Sequence, residues 1–192
     1  MEEQLSQITH YLDKSVGALK SLNIESIKNL SNALDNIRVN DGQVFIIGNG
    51  GSASTASHFA TDLGVGSLRR KNAIRALSLC DNSAAISATA NDINYDDIFE
   101  QQIRLLARPG DALIAISASG NSKNLLKAVD AASEMGITVF SLTGFDGGKL
   151  KEMTPTANIH VKTEIGDYGI VEDLHLAICH MITECIRSGI NG

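Results

Sequence analysis

Apolar residues recur over positions 1–38 at the three-to-four spacing of an amphipathic helix; beyond position 42 they condense into short solid runs. Leu5, Ile8, Leu12, Val16 and Leu19 form one stripe, Asn23-Ile24-Glu25 interrupts it, and Ile27, Leu30, Leu34 and Ile37 resume it. That pattern predicts two helices, each with one apolar face. Val44-Phe45-Ile46-Ile47 opens the solid runs, and strands are expected at 43–47, 73–78, 111–116, 137–142 and 157–161. Continuous apolar runs of this length suit strands buried on both faces. Helical patterns lie between and after them, near 52–64, 82–90, 95–107, 122–135 and 168–188. Strands alternating with helices give a parallel sheet covered on both sides. Pro109-Gly110 turns into the third strand, and Gly147-Gly148 predicts a loop after the fourth. No repeat, low-complexity tract or linker divides the chain. The expectation is one doubly wound α/β domain over 1–192: a five-stranded parallel core at 43–188 behind an N-terminal helical hairpin at 1–38 that packs on another subunit.

Composition narrows the function classes. A chain of 192 residues can bury a full core. Its net charge of −6 is a poor match for nucleic acid. Arg69-Arg70-Lys71 is too short for a basic tract and reads as a solvated turn. No apolar stretch approaches the ~20 residues that span a bilayer, and the acidic start Met1-Glu2-Glu3 is unlike a secretory signal. Cys80, Cys179 and Cys185 have no Cys-x-x-Cys spacing, which suggests reduced thiols in a cytoplasmic protein. There is no tryptophan, so stacking platforms for bases or long glycans are not expected.

Two glycine- and serine-rich turns follow strands. Gly48-Asn49-Gly50-Gly51-Ser52 leaves room for close approach to the backbone, and Ser52 is a natural N-cap. Ser117-Ala118-Ser119-Gly120-Asn121-Ser122 opens another helix with three hydroxyls. Either turn alone reads equally well as an ordinary cap; two together at strand carboxyl ends favour a phosphate or phosphosugar, held by amides and hydroxyls without lysine or arginine. No Gly-Lys-Ser/Thr follows the glycines, and the dinucleotide fingerprint is not met. Asn91-Asp92 and Thr143-Gly144 add polar segments that the same rule assigns to the substrate edge.

Titratable groups cluster in two helices. His58 and Asp62, four apart, share a face, which by spacing alone is an ordinary helix pair. The last helix carries Glu172, Asp173, His175 and His180 among apolar residues, so its polar members must be satisfied or used. Glu172 and His180 are separated by ~12 Å of helix axis and ~80° of rotation, and meet one ligand only at full reach. Asp173 is better aligned with His180, whereas His175 faces elsewhere as a structural or interfacial group.

Taken in order, G-N-G-G-S at 48–52, H-F-A-x-D-L at 58–63, A-N-D at 90–92, S-A-S-G-N-S at 117–122, L-T-G-x-D-G-G at 142–148 and E-D-L-H-x(4)-H at 172–180 resemble the phosphoheptose isomerases, of the SIS (sugar isomerase) fold. The resemblance spans nearly the whole chain. It implies a flavodoxin-like sheet and an aldose–ketose isomerase that converts sedoheptulose 7-phosphate to D-glycero-D-manno-heptose 7-phosphate for surface-polysaccharide heptose. It further implies a cytoplasmic homotetramer with sites between subunits, with no nucleic acid or membrane partner. By the family pattern Asn49, Gly50, Gly51, Ser52, Asn91 and Asp92 contact substrate. Ser117, Ala118, Ser119 and Ser122 hold its phosphate, Asp62 and His180 form the acid–base pair, and zinc is held by His58, Asp62, Glu172 and His180.

Two positions depart from the pattern, which has glutamate at Asp62 and glutamine at Glu172. Asp62 is one methylene shorter, and a ~1 Å misplacement of a catalytic group can cost ~100-fold. Glu172 adds a negative charge that suits a metal or restores a base. The rival readings are a non-catalytic phosphosugar- or protein-binding module, a phosphosugar-sensing regulator, for whose DNA-binding segment the sequence has no counterpart, and an isomerase of another sugar phosphate. Asp62 and His180 together favour an enzyme.

Overall fold

The chain opens with two helices, α1 (Glu2–Lys20) and α2 (Ile24–Val39). The Asn23 side chain accepts the Ser26 N–H at 3.1 Å and caps α2, which is why a second helix starts there. In this computed structural model, which describes residues 2–70 and 73–189 but not the side chains of 68–70, strand and helix then alternate. The order is β1 (Gln43–Gly48), α3 (Gly51–Leu63), β2 (Arg75–Ser78), α4 (Ser83–Asp92), α5 (Glu100–Leu106), β3 (Ala112–Ser117), α6 (Lys123–Glu134), β4 (Thr138–Gly144), α7 (Gly148–Met153), β5 (Asn158–Val161) and α8 (Tyr168–Arg187). The basic run at 69–71 falls outside the described side chains.

The five strands form one parallel sheet in the order β2–β1–β3–β4–β5. Strand order reverses between β1 and β3, and at such a switch point the loops diverge and leave a crevice at the carboxyl edge. Val44–Gly48 of β1 and all of β3 are buried. Val44, Ile46, Ala112, Ile114 and Ile116 pack toward α2, α3 and α8. Phe45, Ile47, Leu113 and Ala115 face α5 and α6. This two-sided burial is the physical reason β1 and β3 read as solid apolar runs rather than alternating ones; the edge strand β2, by contrast, is buried only at Ser78.

Three expectations change. The pattern at 95–107 divides into a 3-10 turn, Tyr95–Asp97, and α5. Asn94 accepts the Asp96 N–H at 2.9 Å and caps the turn, while Asp97 pairs with Lys127 of α6 at 2.6 Å. The loop expected at Gly147-Gly148 instead starts the short helix α7: Gly147 turns at φ 93° and Asp146 accepts the Gly148 N–H. Only Leu150 of α7 is buried, too little periodicity to signal a helix. Finally, α3 starts with Gly50, not Ser52, at the cap position. Gly50 adopts φ 55°, so the turn closes two residues early and Ser52 is buried inside the helix.

The stripe on α1 is bare within one chain. Only Ala18 of this helix is buried, while Leu5, Ile8 and Leu12 are 68%, 59% and 57% exposed. Polar contacts hold α1 against α8 and the loop before it: Tyr11 donates to Asp173 at 2.5 Å, and Lys14 pairs with Glu164 and Asp167. Asp173 is thereby committed to α1 rather than to His180. Cys80, Cys179 and Cys185 are free thiols, and among the described residues no helix is long and apolar enough to cross a membrane.

Candidate active site

A cavity of about 170 Å³ opens at the switch point. Asn49 and Ser52 line it from the first turn, Ser117, Ala118, Ser119 and Ser122 from the second, and Tyr168 and Glu172 from the start of α8. Helices α3, α6 and α8 thus begin at or beside it, and none of the three is capped by its own N-cap side chain. Away from the cavity, α2 and α4 are capped by Asn23 and Asn82. Asp167 at the head of α8 is occupied by Lys14 instead. Three uncapped helix heads beside serine hydroxyls present amide hydrogens and positive dipole ends to one small space, the arrangement that holds a phosphate. Ser117 is nearly buried and accepts the Gly120 N–H at 3.1 Å, so its oxygen shapes the turn as well.

Helices α3 and α8 run side by side from this cavity. Contacts between them occur in the same order along both: Gly51 with Glu172, His58 with His180, Asp62 with Arg187. The helices are therefore parallel, with their polar pairs on a shared groove. At its head, a side chain at position 51 would run into the Glu172 carboxylate. Gly51 is required for Glu172 to lie against the turn. Further along, the His58 and His180 Nε2 atoms are 3.1 Å apart, and Asp62 Oδ2 lies 3.4 Å from His58 Nε2 and 3.8 Å from His180 Nε2. Arg187 Nη2 holds Asp62 Oδ1 at 3.3 Å and the Asp62 carbonyl at the same distance. Only Oδ2 of Asp62 is left to face the histidines.

Two imidazole nitrogens and a carboxylate oxygen, all within 4.8 Å of one another, are a good donor set for a metal. Zinc bonds of ~2.0–2.1 Å in tetrahedral array separate neighbouring donors by roughly 3.3 Å. The observed 3.1, 3.4 and 3.8 Å bracket that value. Three protein donors leave a fourth position for water or substrate. Glu172 does not join this group. Eight residues before His180, it stands at the cavity wall, and the ~12 Å of axis between them is not bridged. The shorter Asp62 nevertheless reaches both histidines.

The other expected residues divide. Gly50 is exposed in the first turn. Asn91 and Asp92 end α4, exposed and bonded to each other at 2.7 Å, and do not line the cavity. His175 is fully buried. Sequence reasoning missed Arg187, Tyr168, Tyr95 and Asn124. Arg187 follows His180 by seven on one helix, a spacing that repeats a face, and Asn124 lies two residues past the second serine turn.

Comparison with known proteins fixes the family. The SIS domain model matches residues 9–144. A phosphoheptose isomerase of Helicobacter pylori is 40% identical over 92% of this chain and 88% of its own length. This chain belongs to the phosphoheptose isomerases of the SIS domain. The family reaches beyond one genus: a probable phosphoheptose isomerase of Thermoplasma volcanium is 32% identical over 96% of this chain and 93% of its own. The fold follows suit. The structure of a phosphoheptose isomerase from Neisseria gonorrhoeae superposes with a TM-score of 0.86 at 31% identity, covering 97% of this chain and 98% of that one. The two carboxyl-edge turns and the His58–Asp62–His180 cluster are therefore features of a family member that is an aldose–ketose isomerase.

Proposed function

We propose that this chain interconverts sedoheptulose 7-phosphate and D-glycero-D-manno-heptose 7-phosphate, supplying heptose for surface polysaccharide. The observation that carries the reading is one groove with two unlike ends. The phosphate-type cavity is at the head of α3 and α8, and the His58–Asp62–His180 cluster lies farther down the same pair. Gly51 and His58 are seven residues apart, ~10 Å along the axis. A short sugar phosphate anchored in the cavity would leave its carbonyl short of the cluster; a seven-carbon chain phosphorylated at its far end is suited to the span.

Ketose-to-aldose conversion moves one proton from C1 to C2 and another from O1 to O2 through an enediol. Asp62 takes the C1 proton, the C–H electron pair becoming the C1–C2 double bond, and the proton is then delivered to C2. His180 carries the proton between the oxygens and assists ring opening. The family's zinc fits His58, Asp62 and His180, and when bound would supply polarisation of the C1 or C2 oxygen. Glu172 stays outside that set in this reading and contacts the sugar from the cavity wall, with Asn49, Gly50, Gly51 and Ser52. Asn91 and Asp92 would reach substrate from a neighbouring subunit. The whole chain acts as one SIS unit, in a cytoplasmic homotetramer assembled through the helices of 1–38.

A second reading has a specific observation in its favour: Glu172 is the carboxylate that lines the cavity, so it rather than Asp62 could be the base at carbon. Steady-state kinetics of Asp62→Asn, His180→Gln and Glu172→Gln separate the two. The first reading expects the Asp62 and His180 variants to lose ~10²–10⁴-fold in turnover. It expects Glu172→Gln, which restores the family's residue, to stay active. Loss in Glu172→Gln with a near-normal Asp62→Asn would transfer the base role to Glu172.

A further inference from the structure

The two turns of the cavity are tied together by an amide pair. Asn49 Nδ2 donates to Asn124 Oδ1 at 2.9 Å, and Asn124 Nδ2 donates back to Asn49 Oδ1 at 2.9 Å. Asn49 belongs to the turn after β1 and Asn124 to the first turn of α6, so the pair bridges the switch-point crevice. Asn124 is 2% exposed and does not line the cavity; Asn49 does.

A reciprocal amide pair is symmetric in itself. Rotating both amides by half a turn exchanges every oxygen for nitrogen and keeps both bonds, so something else must select one state. Here it is the Leu125 N–H, which points at Asn124 Oδ1 at 3.1 Å, shared with the Ser122 carbonyl. A backbone N–H only donates, so the Asn124 atom facing it is oxygen. The Asn124 nitrogen must then face Asn49 Oδ1, and the orientation of the Asn49 amide follows. The Tyr95 hydroxyl adds a second donor to Asn49 Oδ1 at 3.2 Å. With Oδ1 occupied twice, Asn49 keeps one Nδ2 hydrogen that no group among the described residues takes. It is carried by a residue whose neighbours in the cavity are Ser52, Ser119 and Ser122.

We propose that Asn124 is a positioning residue for anion binding: through the amide pair it keeps Asn49 a hydrogen-bond donor to a phosphoryl oxygen in the cavity. Freed of Asn124, the Asn49 amide can present its oxygen instead, which repels an anion. This rests on the cavity being the phosphate subsite of the proposed reaction, but its test does not require turnover.

The probe is inorganic phosphate, titrated into the full-length protein and into Asn49→Ala, Asn124→Ala and the double variant by calorimetry, with thermal melts as a fold control. Asn124→Asp, which keeps the size and shape but removes the amide donor, replaces Asn124→Ala if the latter does not fold. A donor to a charged group makes each single substitution weaken phosphate binding by about tenfold. Because Asn124 acts through Asn49, the double variant loses no more than either single one. With substrate, Asn124→Ala raises KM by a similar factor and leaves kcat within about twofold. Unchanged phosphate affinity in Asn124→Ala, or losses that multiply in the double variant, overturn the proposal. If the cycle is non-additive but the heptose phosphate is not turned over, the inference stands and the substrate assignment falls.

Discussion

At the scale of single residues, the site depends on a glycine that lets a carboxylate in. A methyl group at position 51 would displace Glu172 from the turn, yet what it meets is the mobile end of a long side chain. Gly51 also lies in the first turn of a helix, where alanine is favoured. Gly51→Ala is therefore expected to leave the melting temperature unchanged or slightly raised while lowering kcat/KM about tenfold. On a Glu172→Ala background the same substitution is expected to do nothing further, because contacting residues couple and absent ones cannot. A large loss of stability, or an equal effect on both backgrounds, would break the link between the two residues. Residue types were readable from sequence, but their assignment to one end of the groove or the other was not. Glu172 and His180 share a helix with the right chemistry for one metal; their spacing already sets them two turns apart, but only the packing of α8 along α3 shows that Glu172 meets the cavity and His180 meets His58 and Asp62. Ser52 reads as the cap because its own residue type fits that role; the positive φ of Gly50 cannot be read from a run of glycines.

At the scale of elements, α1 is an amphipathic helix whose apolar side the chain itself does not cover. Leu5, Ile8, Leu12 and Val16 remain exposed, and α1 is held to α8 mainly by Tyr11 and Lys14. A stripe of this kind is suited to an interface, and the homotetramer proposed above would bury it, symmetric assembly of identical chains being the common means. If the proposed homotetramer forms through this face, Leu5→Glu combined with Leu12→Glu is expected to dissociate it toward the 20.4 kDa chain in light scattering. A mass unchanged from the wild type would show that this face is not the contact. The periodicity of α2 and the runs of β1, β3 and β4 were legible because burial on one face or both leaves a direct imprint on the sequence; the α1 stripe was legible although this chain leaves it bare. The division at 95–107 and the helix α7 were not. The first is set by an Asn94 cap and a salt bridge to a distant helix, and the second has a single buried residue.

At the scale of the whole molecule, the core includes a histidine that does not want a proton. Burial pushes His175 down to about 4 from an ordinary value of 6.5, and neither ring nitrogen has a well-aligned partner, although the Thr143 backbone lies close enough to offset part of the shift. His160, hydrogen-bonded to Thr143 through Nδ1, is also lowered by burial. Between pH 6.5 and 4 the unfolded chain binds a proton at His175 that the folded chain refuses, so stability falls as pH drops through 6.5 and levels off below about 4. The full loss from this group is on the order of 3 kcal/mol. Urea unfolding at pH 7.5 and 4.5 measures it, with His175→Leu as the reference that removes this contribution and keeps the others. Equal pH dependence in both proteins would contradict the assignment.

The groove between α3 and α8 is proposed to isomerise a seven-carbon sugar phosphate. The most direct measurement is incubation of the protein with sedoheptulose 7-phosphate, followed by NMR of the product. Catalytic conversion to D-glycero-D-manno-heptose 7-phosphate is expected, abolished in Asp62→Asn. No turnover of this ketose, with turnover of a shorter ketose phosphate under the same conditions, would contradict it.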